Sequence, residues 1–163
     1  MKRTKGFTLI EVLIAVLILS IGLLGVAGTL VTASHSASSN YLRQQGVQYA
    51  YGIVDRMHSN PHVSNNPTSS ANPYIVSLTA PAATIANDCT TTSCTDTQMA
   101  AYDAWQWQTA LKNNLPNGLG SVAVAASTGN TAVVTVTVQW SDQPASSGTA
   151  ATTSSHYTVV TAL

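Results

Sequence analysis

The chain has 163 residues, with six Lys+Arg against six Asp+Glu, 45% hydrophobic residues and 7% charged ones, where a soluble domain usually carries about 25% charged residues. No basic excess exists to bind phosphate backbones, which excludes nucleic acid as a partner, and the charge that normally disperses a cytosolic enzyme is missing. Ser and Thr together number 40, so the polar surface is built mainly from hydroxyls and amides, and such a neutral surface suits contact with other protein.

Half of the basic residues, Lys2, Arg3 and Lys5, precede the first apolar run, FTLIEVLIAVLILSIGLLGVAGTLVTA. A short basic flank stays in the cytoplasm, so the chain beyond the run is expected to be translocated outward. The stretch from Phe7 to Gly28 exceeds the roughly 20 apolar residues that cross a bilayer core. It is also longer than the 7 to 15 residues of a typical signal-peptide core, and it holds Glu11 near its start, where a carboxylate has no use in targeting. A charge at the bilayer centre costs about 2.5 to 3.5 kcal/mol, so an intramembrane acid needs a partner. A cut after Gly6 would supply one. The new α-amine on Phe7 stands four residues, or one helical turn, before Glu11. The same amine on a neighbouring chain could reach Glu11 as well, neutralising both charges and fixing the axial register between stacked chains. Loss of residues 1–6 leaves three basic and six acidic side chains, a side-chain charge of −3.

The helix is expected to continue outward, because no Pro occurs before Pro61 and Leu42, Gly46, Tyr49, Ile53 and Met57 recur at three- and four-residue steps on one face. From Phe7 to about Met57 it would be roughly 75 Å long. Gly22, Gly25 and Gly28, followed by the weak helix formers of TASHSASSN, make the middle a candidate for bending or melting, with close helix packing the alternative. Asp55 and Arg56 read as a local ion pair or part of an interface. Residues 59–95 are rich in Asn, Pro, Ser and Thr and read as a long loop, with only Tyr74 to Leu78 strand-like. Cys89 and Cys94, in CTTTSC, are expected to form a disulfide in a translocated chain. Zinc is the alternative there, and the lack of a second Cys pair disfavours it. His58 and His62 stand four apart, but Pro61 between them is expected to end the helix and so to prevent a shared metal face.

Thr95 with Gln98 offers a capping box, and Ala100, Ala104, Trp107, Leu111 and Leu115 form an apolar stripe, which predicts a second helix ending before Pro116. Tyr102 and Trp105 lie off that stripe, either as exposed aromatics for a partner or as cover for the edge of the core. Val122, Val124 and Ala126, then Ala132, Val134, Val136, Val138 and Trp140, alternate as two strands of a hairpin with turn chemistry at Gly129-Asn130. A loop from Asp142 to Ser155 leads to a last strand in HYTVVTAL. Three or four antiparallel strands with one apolar face need a cover, and the exported half of the long helix provides it, which makes the fold class α+β.

The string KG followed by FTLIEVLIAVL resembles the class III leader and N-terminal helix of the type IV pilins and of the related pseudopilins of type II secretion. The resemblance implies cleavage between Gly6 and Phe7 by a membrane aspartic prepilin peptidase, N-methylation of Phe7, and Glu11 as the acid used in subunit docking. It implies a leader over 1–6, a transmembrane half-helix over 7–30, an exported half-helix over 31–58 and a periplasmic pilin head over 59–163. AYGIVDRMHSNP, residues 50 to 61, together with Asp103, Trp107, Leu111 and LPNGLG, resembles the minor pilins. That implies a subunit that primes pilus assembly and joins a tip complex, supporting twitching motility and adhesion. The implied partners are other minor pilins, the major pilin, the inner-membrane assembly platform and a tip adhesin. The implied location is the inner membrane before assembly and the surface fibre after it. No cofactor and no enzymatic activity are implied. A minor pseudopilin shares leader, acid and helix and is the main alternative. An adhesin, suggested by the hydroxyl-rich loops and Trp105, is another. An anchored enzyme is disfavoured, since G-x-S-x-G, H-E-x-x-H and a glycine-rich phosphate loop are all missing.

Overall fold

The structure, a computed structural model, describes residues 6–67, 71–78, 85, 87–126, 132–142 and 154–163. Two compact units emerge, Met1–Asn40 and Tyr41–Leu163. The first helix, α1 (Leu9–Ser59), contributes to both.

In the first unit α1 is a helix of Leu, Ile, Val and Ala, and every residue from 6 to 38 is exposed. Its hydroxyls do not disturb it, because they bond to carbonyls of their own preceding turn: Ser20 to Val16 at 2.7 Å, Thr29 to Val26 at 2.8 Å, Thr32 to Gly28 at 3.2 Å and Ser36 to Thr32 at 3.1 Å. The melting expected around Gly22, Gly25, Gly28 and TASHSASSN does not occur, and the segment is helical throughout. Each glycine costs about 1 kcal/mol relative to Ala, but no Pro removes a donor, so the backbone ladder is retained. A Cβ at any of the three glycines would meet nothing within 4 Å. By length and composition α1 is apolar enough to cross a membrane.

The second unit takes α1 from Tyr41 onward, then α2 (Pro61–Ser64), α3 (Asp96–Asn114), β1 (Leu119–Ala126), β2 (Ala132–Ser141) and β3 (Ser154–Ala162). The strands form one antiparallel sheet in the order β1-β2-β3, so three strands are present among the described residues. Val122 faces Val136 and Val124 faces Val134 across one pair, while Val136 faces Val159 and Val138 faces Tyr157 across the other. The turn expected at Gly129-Asn130 lies outside the described residues, as does most of the loop before Ser155. On β2 the residues Ala132, Val134, Val136, Val138 and Trp140 are buried, which is the predicted alternation. Against that face pack Ala50, Ile53, Val54 and Met57 of α1 and Trp107 and Leu111 of α3. A long N-terminal apolar helix packed on a three-stranded antiparallel sheet is the α+β architecture expected from the sequence.

Two glycines permit this packing. Gly46 of α1 lies under Trp140, whose Cζ3 would be 2.6 Å from an added Cβ. Gly118 follows Asn117, which takes a left-handed φ of 51°, and an added Cβ at Gly118 would strike the Leu111 carbonyl oxygen. The capping box forms as predicted: Gln98 N donates to Thr95 Oγ1 at 3.3 Å, and Thr95 N donates to Gln98 Oε1 at 2.9 Å.

The region read as a long loop holds more order than its composition suggested. α2 occupies its start, and Val76 makes an antiparallel bridge to Val122 through bonds of 3.1 and 2.9 Å. Buried Asn72 ties its own segment to the end of α2, donating to the carbonyls of Ser64 at 3.0 Å and Asn66 at 2.8 Å while accepting from Tyr74 N at 3.1 Å. One buried amide thus substitutes for a strand ladder.

Candidate processing and docking site

Gly6 and Phe7 precede α1. Phe7 is 84% exposed, and an added Cβ at Gly6 would meet nothing within 4 Å. The first turn is closed on Thr8, whose carbonyl accepts from Glu11 N at 3.1 Å and Val12 N at 3.4 Å. Glu11 is therefore a helical residue of the first turn, where the positive end of the helix dipole favours a carboxylate. Phe7, Glu11, Ala15 and Leu19 line one shallow groove. Among the described residues the Glu11 carboxylate forms no hydrogen bond and no ion pair. An acid whose side chain has no partner among the described residues thus stands in an exposed, apolar, membrane-length helix.

Charge in the second unit is handled differently. Arg56 Nη1 pairs with Asp103 Oδ1 at 3.1 Å, and the Tyr74 hydroxyl donates to Asp103 Oδ2 at 3.0 Å. The expected local pairing of Asp55 with Arg56 is corrected by this: consecutive residues of a helix point apart, and Asp55 faces solvent. Burial raises the Tyr74 phenol above its usual range, and the Asp103 charge raises it further. The sequence reading picked out Asp103 and read Tyr74 as the start of a strand-like segment without giving it a partner, and it missed Asn72, which lies in the stretch taken for loop. The usable signal was scarcity, because in a chain with so few charges each one near an apolar stripe needs a partner.

Cys89 and Cys94 are joined, with Sγ atoms 2.00 Å apart, and close the exposed CTTTSC loop. Asp88 shapes its entry by accepting from Thr90 N at 2.9 Å and Thr90 Oγ1 at 2.6 Å, and these bonds hold the carboxyl below its usual range. Tyr102 and Trp105 are both half-buried and lie against each other, ring centroids 5.6 Å apart. Trp107 Nε1 donates to the Tyr49 carbonyl at 2.9 Å, tying α3 to α1 within the second unit. His58 sits at the end of α1, with Nδ1 3.0 Å from the Val54 carbonyl, and His62 lies beyond it on α2. No group of three or more His, Cys, Asp or Glu suited to a metal ion occurs among the described residues.

Two family comparisons bear on this arrangement. Residues 1–27 match the prokaryotic N-terminal methylation motif, and residues 30–105 match the family described as type IV pilin Tt1218. The chain thus carries a prepilin methylation motif followed by a type IV pilin domain. Its leader motif and apolar helix fit membrane anchoring and pilus incorporation, and the motif implies processing and assembly partners in general. Comparison with curated proteins and with solved structures finds no match.

Proposed function

We infer that this pilin is a minor subunit of the PilV type, the type IV pilus modification protein, which primes assembly and joins a complex of minor pilins at the fibre tip. Prepilin peptidase cuts between Gly6 and Phe7, and the new Phe7 amine is methylated. The amine stays cationic after methylation, so it still pairs with a carboxylate. Docking then places Glu11 beside the Phe7 amine of an adjacent subunit, which removes two charges from hydrocarbon and sets the stagger between helices. The Cys89–Cys94 bridge holds a loop of the periplasmic head. Twitching motility and adhesion arise from the fibre that the priming complex starts. The role is structural rather than enzymatic.

The observation that carries this reading is Glu11, whose side chain has no partner among the described residues, in the first turn of an exposed apolar helix and within the stretch matching the methylation motif. Glu11→Gln keeps the shape and removes the charge. Mass spectrometry is expected to show normal leader removal in the variant, while its recovery in sheared pili falls by about tenfold, the effect of one hydrogen bond to a charged group. Incorporation equal to wild type refutes the docking role. A deletion strain separates the function classes: loss of surface fibres supports the priming role, and intact fibres with failed exoprotein release would assign the chain to type II secretion instead.

A further inference from the structure

Of the eight Asp, Glu, Lys and Arg residues from Tyr41 onward, three line a single cleft of about 390 Å³. The cleft lies between the end of α1, α2 and the start of α3, and its lining includes Arg56, Asn60, His62, Asp96, Met99 and Asp103. Its walls are fixed before any ligand arrives. Asn60 Nδ2 donates to the Asp96 carbonyl at 2.7 Å, the capping box anchors the first turn of α3, and Cys94, also in the lining, is held by its disulfide. Asp103 spends both oxygens on Arg56 and Tyr74. The Asp96 carboxylate, the His62 ring and the Arg56 nitrogens other than Nη1 make no hydrogen bond among the described residues. Beside these groups lie Pro61 and the exposed thioether of Met99.

We propose that this cleft binds a neutral saccharide. With Arg56 cancelled by Asp103, the one charge left over is the Asp96 carboxylate, which repels anions, and the unspent nitrogens of Arg56 disfavour cations. What remains is a set of planar donors and acceptors around a small apolar platform. A pyranose matches it: vicinal hydroxyls bond to Asp96, His62 and the outer edge of Arg56, and the ring C–H face lies on Met99 and Pro61. The volume sits at the lower end of the roughly 300 to 1,000 Å³ of small-molecule sites, the size of one or two sugar rings. Because the unspent groups reach solvent, each contact is weak, and binding by one site falls in the millimolar range.

The chain carries its own reporters. It has three methionines, Met1, Met57 and Met99, and leader removal would leave only buried Met57 and exposed Met99. The full chain, ¹³C-methyl-labelled at Met and held in phosphatidylcholine nanodiscs, is titrated with glucose, galactose, N-acetylglucosamine and N-acetylgalactosamine, and separately with phosphate and acetate. The expected result is a saturable shift of the Met99 methyl with at least one neutral sugar, a still Met57 methyl, and no saturable response to the anions. Asp96→Asn and His62→Ala are each expected to weaken the sugar response by about tenfold, with the Met57 signal unchanged to show that the core is intact. A Met99 methyl that ignores all four sugars, one that responds only to the anions, or a sugar response untouched by both variants overturns the proposal.

Discussion

Gly46→Ala gives the sharpest test of how α1 meets the sheet. The added Cβ would stand 2.6 Å from Trp140 Cζ3, 3.1 Å from Cη2 and 3.2 Å from Cε3. The ring is not free to retreat, since Trp140 is buried on the central strand and its Nε1 donates to Asp142 Oδ1 at 2.8 Å. Relief therefore requires helix and strand to separate or the indole to surrender that bond, and overpacking of this kind costs about 1 to 3 kcal/mol. Ala also gains about 1 kcal/mol over Gly in a helix interior. Gly52→Ala isolates that gain, because a Cβ at Gly52 on the same helix meets nothing within 4 Å. Subtracting the two variants cancels the propensity term and leaves the contact, so Gly46→Ala is expected to be about 1 to 3 kcal/mol less stable than Gly52→Ala. Urea unfolding of the full chain in nanodiscs, followed by tryptophan fluorescence, measures the difference. Equal midpoints for the two variants would show that Trp140 does not occupy the space above Gly46 and would refute this account of the helix–sheet contact.

Tyr74→Phe tests the buried phenol. Its pKa is raised above the ordinary 10.0 in the folded chain, so the folded state keeps a proton that the unfolded chain releases. Stability from this group is present below about pH 10 and declines as pH rises beyond it. Urea midpoints at pH 8 and pH 11 are expected to differ less in the variant than in wild type; an unchanged difference overturns the assignment. Replacing both Cys89 and Cys94 with Ser is expected to cost about 2 kcal/mol, the chain-entropy value for so short a loop, and a urea midpoint matching wild type contradicts it. Gly6→Leu is expected to leave the leader attached, because the peptidase must seat a small residue before the cut. Finding Phe7 at the variant's N-terminus by mass spectrometry defeats that expectation.

One physical distinction separates the legible parts of the chain from the hidden ones. Periodic apolar patterns report burial against a continuous partner, so the α1 face around Ile53, the α3 stripe and the β2 alternation were legible residue by residue. The capping box was legible too, because both of its bonds join residues three apart. Order that depends on one polar residue reaching over several positions leaves no period. Asn72 reaches the carbonyls of Ser64 and Asn66 this way, just before the segment from Tyr74 that did read as strand-like, and Arg56 finds Asp103 across 47 positions. The glycines in the first unit misled in the other direction: their low propensity was visible, but propensity is a small term beside an uninterrupted backbone ladder.

The use of charge separates the two units most clearly. In the second, Arg56 and Asp103 satisfy each other, and the core closes around Tyr74 and Trp140 without outside help. In the first unit the apolar side chains are exposed, and its one acid is unmatched among the described residues. A soluble chain would not keep the sixteen exposed large hydrophobic residues between Phe7 and Val31, since each buried methylene is worth about 0.8 kcal/mol. Lipid can cover the apolar side chains but not the carboxylate, and neighbouring subunits can cover both. Lipid contact alone therefore leaves Glu11 costly, and under the docking proposed above assembly removes that cost where the Phe7 amine of an adjacent subunit arrives beside it. If charge neutralisation is what drives the step, Glu11→Lys, which puts like charge against the incoming amine, should lower incorporation further than Glu11→Gln. Equal recovery of the two variants in sheared pili would mean that shape rather than charge sets the register.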